Sequence, residues 1–565
     1  MQPNQLSTYP DPGFWTKTSL IQLGYGLWVN LSMVVIGLAF GFTAVAMPQL
    51  KESHIETTIS DQSWIASVLT LSAPFGCIIS GYSIDKVGRR IMLIVCHFPV
   101  ALGWLYTGVA TSAESLIVGR IIIGIGMGMA LSVPRPYLTE ISLPNMRGVI
   151  GSFPNLAMSV GITAQAALGS FFKWTTLCYI SMFYSLALMG FNYFLPETPY
   201  YLLMNDTMER AEASLRKFRS SKHNIDAEMD ELMDFKMDND IHGLPWKEKF
   251  AALFKRSSCK PFFLMMTYFT ITQLAGISVV IMWTVDMLER SKSSVDAHTG
   301  NFILGITRFL SGVFTSIIIF KMGRRPLALT SGTLQIEVSK KYIESILFFL
   351  YVATMFNPLI IIFFHPGLGV GVVFVFLGFF IHYTEKLTHI PLICYMAYIT
   401  FATLGHYTLP VLIMFELYPL QVRGILGGIS TSIMNFTIFG MNKFYPYMID
   451  TFGFANTIIA FGVLSLIGNV FLYFYLPETK DLTLQEIEEY YNDRRPTLTS
   501  QRRIMSMHTL SKQVLSRNDT ASKSLIKITD RHKKPKSDKS KTKVNTDKKD
   551  VATSISLSES DKHDK

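Results

Sequence analysis

Charged residues recur in this chain at fixed spacings, and the spacings say what chemistry they could do. Gly88-Arg89-Arg90 returns as Gly323-Arg324-Arg325. Glu140 is followed, after six residues, by Arg147-Gly148, and Glu416 in the same way by Arg423-Gly424. Leu195-Pro196-Glu197-Thr198 returns as Leu476-Pro477-Glu478-Thr479. The three patterns come in the same order twice, which marks an internal duplication of the kind common in membrane carriers. Together with Asp85 they set both signs of charge at the ends of apolar runs. Ion pairs at a partly desolvated, water-lined junction can hold one conformation and still break. This assigns a gating role to Asp85, Gly88, Arg89, Arg90, Glu140, Arg147, Arg324, Arg325, Glu416 and Arg423. The plainer alternative is that these charges fix topology and touch lipid headgroups. The second copy lacks one acid, because Phe320 stands where Asp85 stands in the first.

Other chemistry finds no residues to carry it. There is no metal-ligand spacing, nucleophile elbow or phosphate loop, and no soluble stretch large enough for a catalytic domain. The chain reads as no enzyme, with no metal or cofactor. The five cysteines, Cys77, Cys96, Cys178, Cys259 and Cys394, show no disulfide or metal spacing and read as bystander thiols.

The elements that must position the charged residues are membrane spans. Of 565 residues, 49% are hydrophobic and only 16% charged, where a soluble domain carries about 25%. Mean hydropathy is +0.31. Apolar runs of spanning length occur near 28–48, 62–82, 91–110, 115–137, 149–172 and 176–195, then near 261–283, 299–320, 369–383, 391–415, 425–445 and 455–476. The expected fold is an all-α membrane protein of twelve transmembrane helices in two six-helix repeats. Its parts are a cytosolic N-terminus (1–25), a first half (26–195), linker helices (196–260), a second half (261–476) and a basic, Ser/Thr-rich tail (477–565) that reads as disordered. The basic loops around Arg89, Arg147, Arg324 and Arg423 alternate along the chain, which places them, both termini and the linker in the cytosol. The net charge of +10 sits largely in the tail and these loops, so it argues for no nucleic-acid partner.

One segment breaks the duplication. Arg90 and Arg325 stand 235 residues apart, but Glu140 and Glu416 stand 276 apart and Glu197 and Glu478 281 apart. The surplus falls near Thr333–Gly367, whose removal joins Leu327-Ala-Leu-Thr-Ser-Gly332 to the apolar run from Leu368. A thirteenth span there would put Arg423 and the basic tail outside, against the charge rule. The segment therefore reads as an insertion, such as a translated intron; a re-entrant hairpin is the alternative.

The motifs carry a family resemblance. GYSIDKVGRR (81–90), VGRIIIGIGMG (118–128), PYLTEISLPNMRG (136–148), LPETPYYL (195–202), FELYPLQVRG (415–424) and LPETKDLTLQEIEE (476–489) together resemble the sugar porters of the major facilitator superfamily. DQSWIAS (61–67) and KFYPYMIDTFG (443–453) resemble the insect facilitated trehalose transporter group. The resemblance implies alternating-access transport of a small-molecule sugar, trehalose or a hexose, by a monomer in the plasma membrane. It implies Asn155, Gln273, Ser278 and Asn435 as polar sugar contacts, midway through the bilayer. It also exposes departures. Val411 and Phe436 stand where the family has tryptophans, Thr272 and Ser278 where it has a glutamine and an asparagine. Arg308 takes a position usually held by an amide, and a buried arginine is a functional candidate. Proton-linked members carry an Asp in the first helix, in a Gly-Tyr-Asp run; here Gly41-Phe42-Thr43 has none, so facilitated uniport is expected. A proton-coupled symporter and a non-transporting sugar sensor are the alternatives.

Overall fold

With no water in a bilayer core, a spanning backbone must satisfy its own amides, and helices do so within one segment. The computed structural model describes residues 16–51, 53, 55–143, 146, 150–220, 225–238, 253–321, 366–383, 388–419, 422–477 and 490–491. Among them the structure is helical apart from one isolated bridge between Ser293 and Thr388. Eight helices are long and apolar enough to cross a membrane, and Gly369–Tyr383 is a shorter apolar one.

In the first part of the chain, α1 (Lys17–Lys51) packs on α7 (Phe153–Gly169), and α2 (Ile59–Val87) on α5 (Ala113–Ser132). Glycine permits both approaches. A Cβ on Gly37 would lie 2.1 Å from the Met158 carbonyl, and one on Gly128 1.9 Å from the Ala73 carbonyl. Between these pairs run α3 (Arg89–Val95), α4 (His97–Gly108), α6 (Pro134–Ile141) and α8 (Trp174–Asn192). The linker supplies α9 (Pro199–Asn205), α10 (Met208–Phe218) and α11 (Ile225–Asp238). Helix α1 starts at Lys17, well before its apolar run, because its polar first turns have partners. Thr18 accepts from the Ser220 amide, and Gln22 from the Leu143 amide.

The second part holds α12 (Arg256–Leu274), α13 (Ile277–Met282), α14 (Thr284–Arg290), α15 (Ala297–Lys321), α16 (Pro366–Tyr383), α17 (Ile390–Ala402), α18 (Leu409–Leu417), α19 (Arg423–Phe452) and α20 (Phe454–Tyr475). The two parts meet where α2 packs on α19 and α7 on α15. The segment Thr333–Gly367 lies outside the described residues but for Pro366 and Gly367, which begin α16. The tail after Tyr491 lies outside them too.

Candidate functional site

Two helix breaks in the second part build the cavity wall. The first is at Gly276, whose φ of +83° stops α12 and restarts the chain as α13. Only glycine adopts this backbone without strain. A Cβ there would also lie 2.8 Å from the Phe461 ring. The break aims Gln273 and Ser278 into one cavity. Both are buried, and Gln273 Oε1 and Ser278 Oγ have no hydrogen-bond partner among the described residues. The second break is a π-helical turn, Thr403–Tyr407, between α17 and α18. Pro410 lacks an N–H and cannot continue a regular ladder. Thr408 Oγ1 donates to the Thr403 carbonyl at 3.0 Å, and the Tyr268 hydroxyl to the Gly405 carbonyl at 3.3 Å. The turn swings His406 and Tyr407 onto the cavity wall.

The remaining wall comes from both parts of the chain. Helix α7 gives Asn155, α19 gives Asn435, α1 gives Phe40, and α6 gives Arg135. Asn435 is buried and spends its amide N–H on the Thr431 carbonyl at 2.8 Å, which leaves its oxygen for a ligand. So four residues expected as sugar contacts, Asn155, Gln273, Ser278 and Asn435, line one cavity. Arg308 does not reach the wall: it is buried one layer behind, with its guanidinium carbon 5.9 Å from the centre of the Tyr407 ring. Val411 lines the cavity, but Phe436 is 46% exposed and turned away.

Beside α1, Arg120 of α5 is wholly buried. It donates to the Ala39 carbonyl at 2.9 Å, the Ile65 carbonyl at 3.3 Å and Thr43 Oγ1 at 2.6 Å. These three acceptors are neutral. One of them is at the position where proton-linked relatives were expected to carry an acid.

The first set of repeated charges converges at the end of α2. Arg89 Nε donates to Glu140 Oε1 at 3.0 Å, and its Nη2 lies 3.0 Å from Asp85. Thr198 Oγ1 donates to the other Glu140 oxygen at 2.5 Å. Glu197 accepts from the backbone amides of Arg89 at 3.1 Å and of Arg90 at 3.1 Å and 3.2 Å. Gly88 turns the chain there at φ +104°, and a Cβ on it would lie 2.6 Å from Glu197 Oε2. Arg90 donates to the Tyr193 carbonyl at 2.6 Å. Burial raises the Glu197 carboxyl above its ordinary value, against the lowering effect of these amide bonds. The sequence showed Glu197 as part of a repeat and gave it no role. These bonds lie within the first half or, through Glu197 and Thr198, join it to the start of the linker. Arg147, Arg324 and Arg325 lie outside the described residues, and Glu416 and Arg423 are placed only as members of α18 and α19.

The other end of α2 meets the second half directly. Lys443 Nζ donates to Ser63 Oγ at 2.7 Å and sits 4.1 Å from the centre of the Trp64 ring. Trp64 also packs on Phe439, 5.9 Å between ring centres. Along α2 this contact and the Arg89 cluster are about 40 Å apart.

The family model "Sugar (and other) transporter" matches residues 18–491, so the chain belongs to that family. It is 27% identical over 480 residues to the facilitated trehalose transporter Tret1 of Apis mellifera ligustica, covering 83% of this chain and 88% of that one. It is 27% identical over 466 residues to the Drosophila virilis Tret1 protein, of which it spans only 48%. In fold it matches the inward-open xylose transporter XylE from E. coli, with a TM-score of 0.64, 17% identity, and 83% and 99% of the two chains covered.

Proposed function

We propose that this chain carries a sugar across a membrane by alternating access, as a facilitated uniporter. The single observation that carries the reading is the cavity between the two parts of the chain, with amides and a hydroxyl from both on its wall. Such a site can be exposed to one side at a time when the halves rock about it. Eight long apolar helices together with α7, the broken α12–α13, α15 and α16 make twelve spans, six before the linker and six after it. The positive-inside tendency supports an orientation with both termini and the Arg89 cluster in the cytosol; the membrane we assign is the plasma membrane. The Lys443–Ser63–Trp64 contact then holds the two halves together on the outer side, as an inward-facing state requires. We read the Arg89–Glu140–Glu197 cluster as the brace of an inner gate. In the outward-facing state it meets the second set, Arg324, Arg325, Glu416 and Arg423.

Uniport rather than proton symport is supported at Thr43. A neutral hydroxyl beside Arg120 offers nothing to titrate. The decisive measurement is uptake of labelled trehalose, glucose and xylose into proteoliposomes, with and without a pH gradient. Saturable, stereoselective uptake that ignores a protonophore is expected. Uptake no faster than leak for every sugar tried, from protein that is folded and correctly inserted, would end the carrier reading. Accumulation driven by acid outside would replace uniport with symport.

A further inference from the structure

The two helix breaks on the cavity wall are braced against each other. The Tyr268 hydroxyl of α12 donates to the Gly405 carbonyl of the π-helical turn at 3.3 Å. In return the Tyr398 hydroxyl of α17 donates to the Ala275 carbonyl, beside Gly276, at 2.7 Å. Both tyrosines are buried. A bond in each direction ties the turn and the α12 break into one unit. His406 sits in that turn, its ring edge-on to the Tyr268 ring with 6.4 Å between centres.

The imidazole so held has no use for its polar atoms inside the protein. His406 is 1% exposed and lines the cavity, and neither ring nitrogen has a hydrogen-bond partner among the described residues. Buried polar groups in folded proteins nearly always have a partner, from protein or from water. A phenyl ring would fill the same space without that deficit. Gln273 Oε1 and Ser278 Oγ, on the other braced break, are unmet in the same way and line the same cavity. A neutral imidazole offers one N–H donor and one acceptor nitrogen. A sugar hydroxyl donates and accepts, so it can pair with either.

We propose that His406 is a sugar-contact residue. From the π-helical turn its imidazole hydrogen-bonds a hydroxyl of the bound sugar, and so selects sugars that carry that hydroxyl. Gln273 and Ser278, fixed to the same unit, take other hydroxyls of the same molecule. The inference rests on the carrier reading and adds to it a residue that sets specificity.

The test is equilibrium binding of glucose, trehalose and the monodeoxy analogues of each to the purified full chain in detergent, followed by flux in proteoliposomes. A site built to bond a hydroxyl rejects the analogue that lacks it, so the parent should bind at least one deoxy analogue about tenfold or more weaker than the full sugar. His406→Phe should lose that one preference and keep the preferences at the other hydroxyls. His406→Gln, which keeps a donor and an acceptor, should recover part of it. Thermal unfolding reports that each variant is folded; should His406→Phe not fold, His406→Leu is read in the same way. A parent with no preference among the analogues, or a variant that weakens every sugar by the same factor or none at all, overturns the inference. The carrier reading then stands on the flux of the parent. Binding with the expected pattern but without flux of any sugar sinks the carrier reading and leaves this one standing, and a parent that binds no sugar ends both.

Discussion

Single residues here act through charge placed where water is scarce. The Arg89–Glu140 pair is mostly buried, with side-chain exposures of 9% and 14%. Removing one partner of such a pair strands the other, at a cost of about 3 kcal/mol. Glu140→Ala should therefore lower the unfolding temperature of the purified chain, and Glu140→Asp should lower it less. At Glu197 the sign runs the other way. Its folded pKa is raised, so the folded chain holds that proton more tightly than the unfolded one. Its contribution is present below the ordinary carboxyl value and is lost as pH rises through the raised value. Glu197→Gln should flatten that part of the pH profile of thermal stability; an unchanged profile assigns the slope elsewhere. Thr43→Asp would set a carboxylate beside Arg120, and uptake should then respond to a proton gradient that the parent ignores. The sequence made Arg89 and Glu140 legible because charge is rare in an apolar chain and these charges repeat. Arg308 was expected as a sugar contact because it takes a position the family usually gives to an amide, but the helix face sets that side chain behind Tyr407.

At the scale of elements, function depends on where helices stop being regular. Gly276 breaks one span and aims Gln273 and Ser278 at the cavity. Gly276→Ala combines a left-handed backbone, disfavoured by about 1–2 kcal/mol for other residues, with a contact on Phe461. Sugar affinity should fall by about tenfold or more, while the Arg89 cluster, far from the break, keeps its thermal signature. If affinity holds, the break does not position the site. The helices themselves were legible from hydropathy to within a few residues at many ends. The π-helical turn was not. An extra residue in a turn rotates everything after it off the regular 3.6-residue phase, so periodicity could not bring His406 and Tyr407 to the wall. Arg135 was missed for a related reason: it sits at the start of the short helix α6, where α5 ends, and no repeat marks it.

At the scale of the molecule, two halves meet along α2–α19 and α7–α15, and the contact at one end of α2 is closed. The duplication announced the halves, and the shorter Arg90–Arg325 offset announced the irregular stretch inside the second. If Thr333–Gly367 is an insertion, a chain lacking 333–365 should reach the membrane with the same orientation and unchanged uptake. Loss of insertion on that deletion would make the segment part of the fold. The closed contact has a consequence for kinetics. A hydrogen bond from an ammonium group and a cation–π contact together favour the closed form by about 2 kcal/mol. At equilibrium, only about one molecule in thirty then presents its site outward, and the apparent affinity seen from that side is weaker by the same factor. The carrier should be directional in its constants though not in its thermodynamics: half-saturation for influx should lie well above that for efflux. Lys443→Ala should bring the two together by lowering the influx value. Equal constants on the two faces of the parent would mean that this contact is not what keeps the outer side shut.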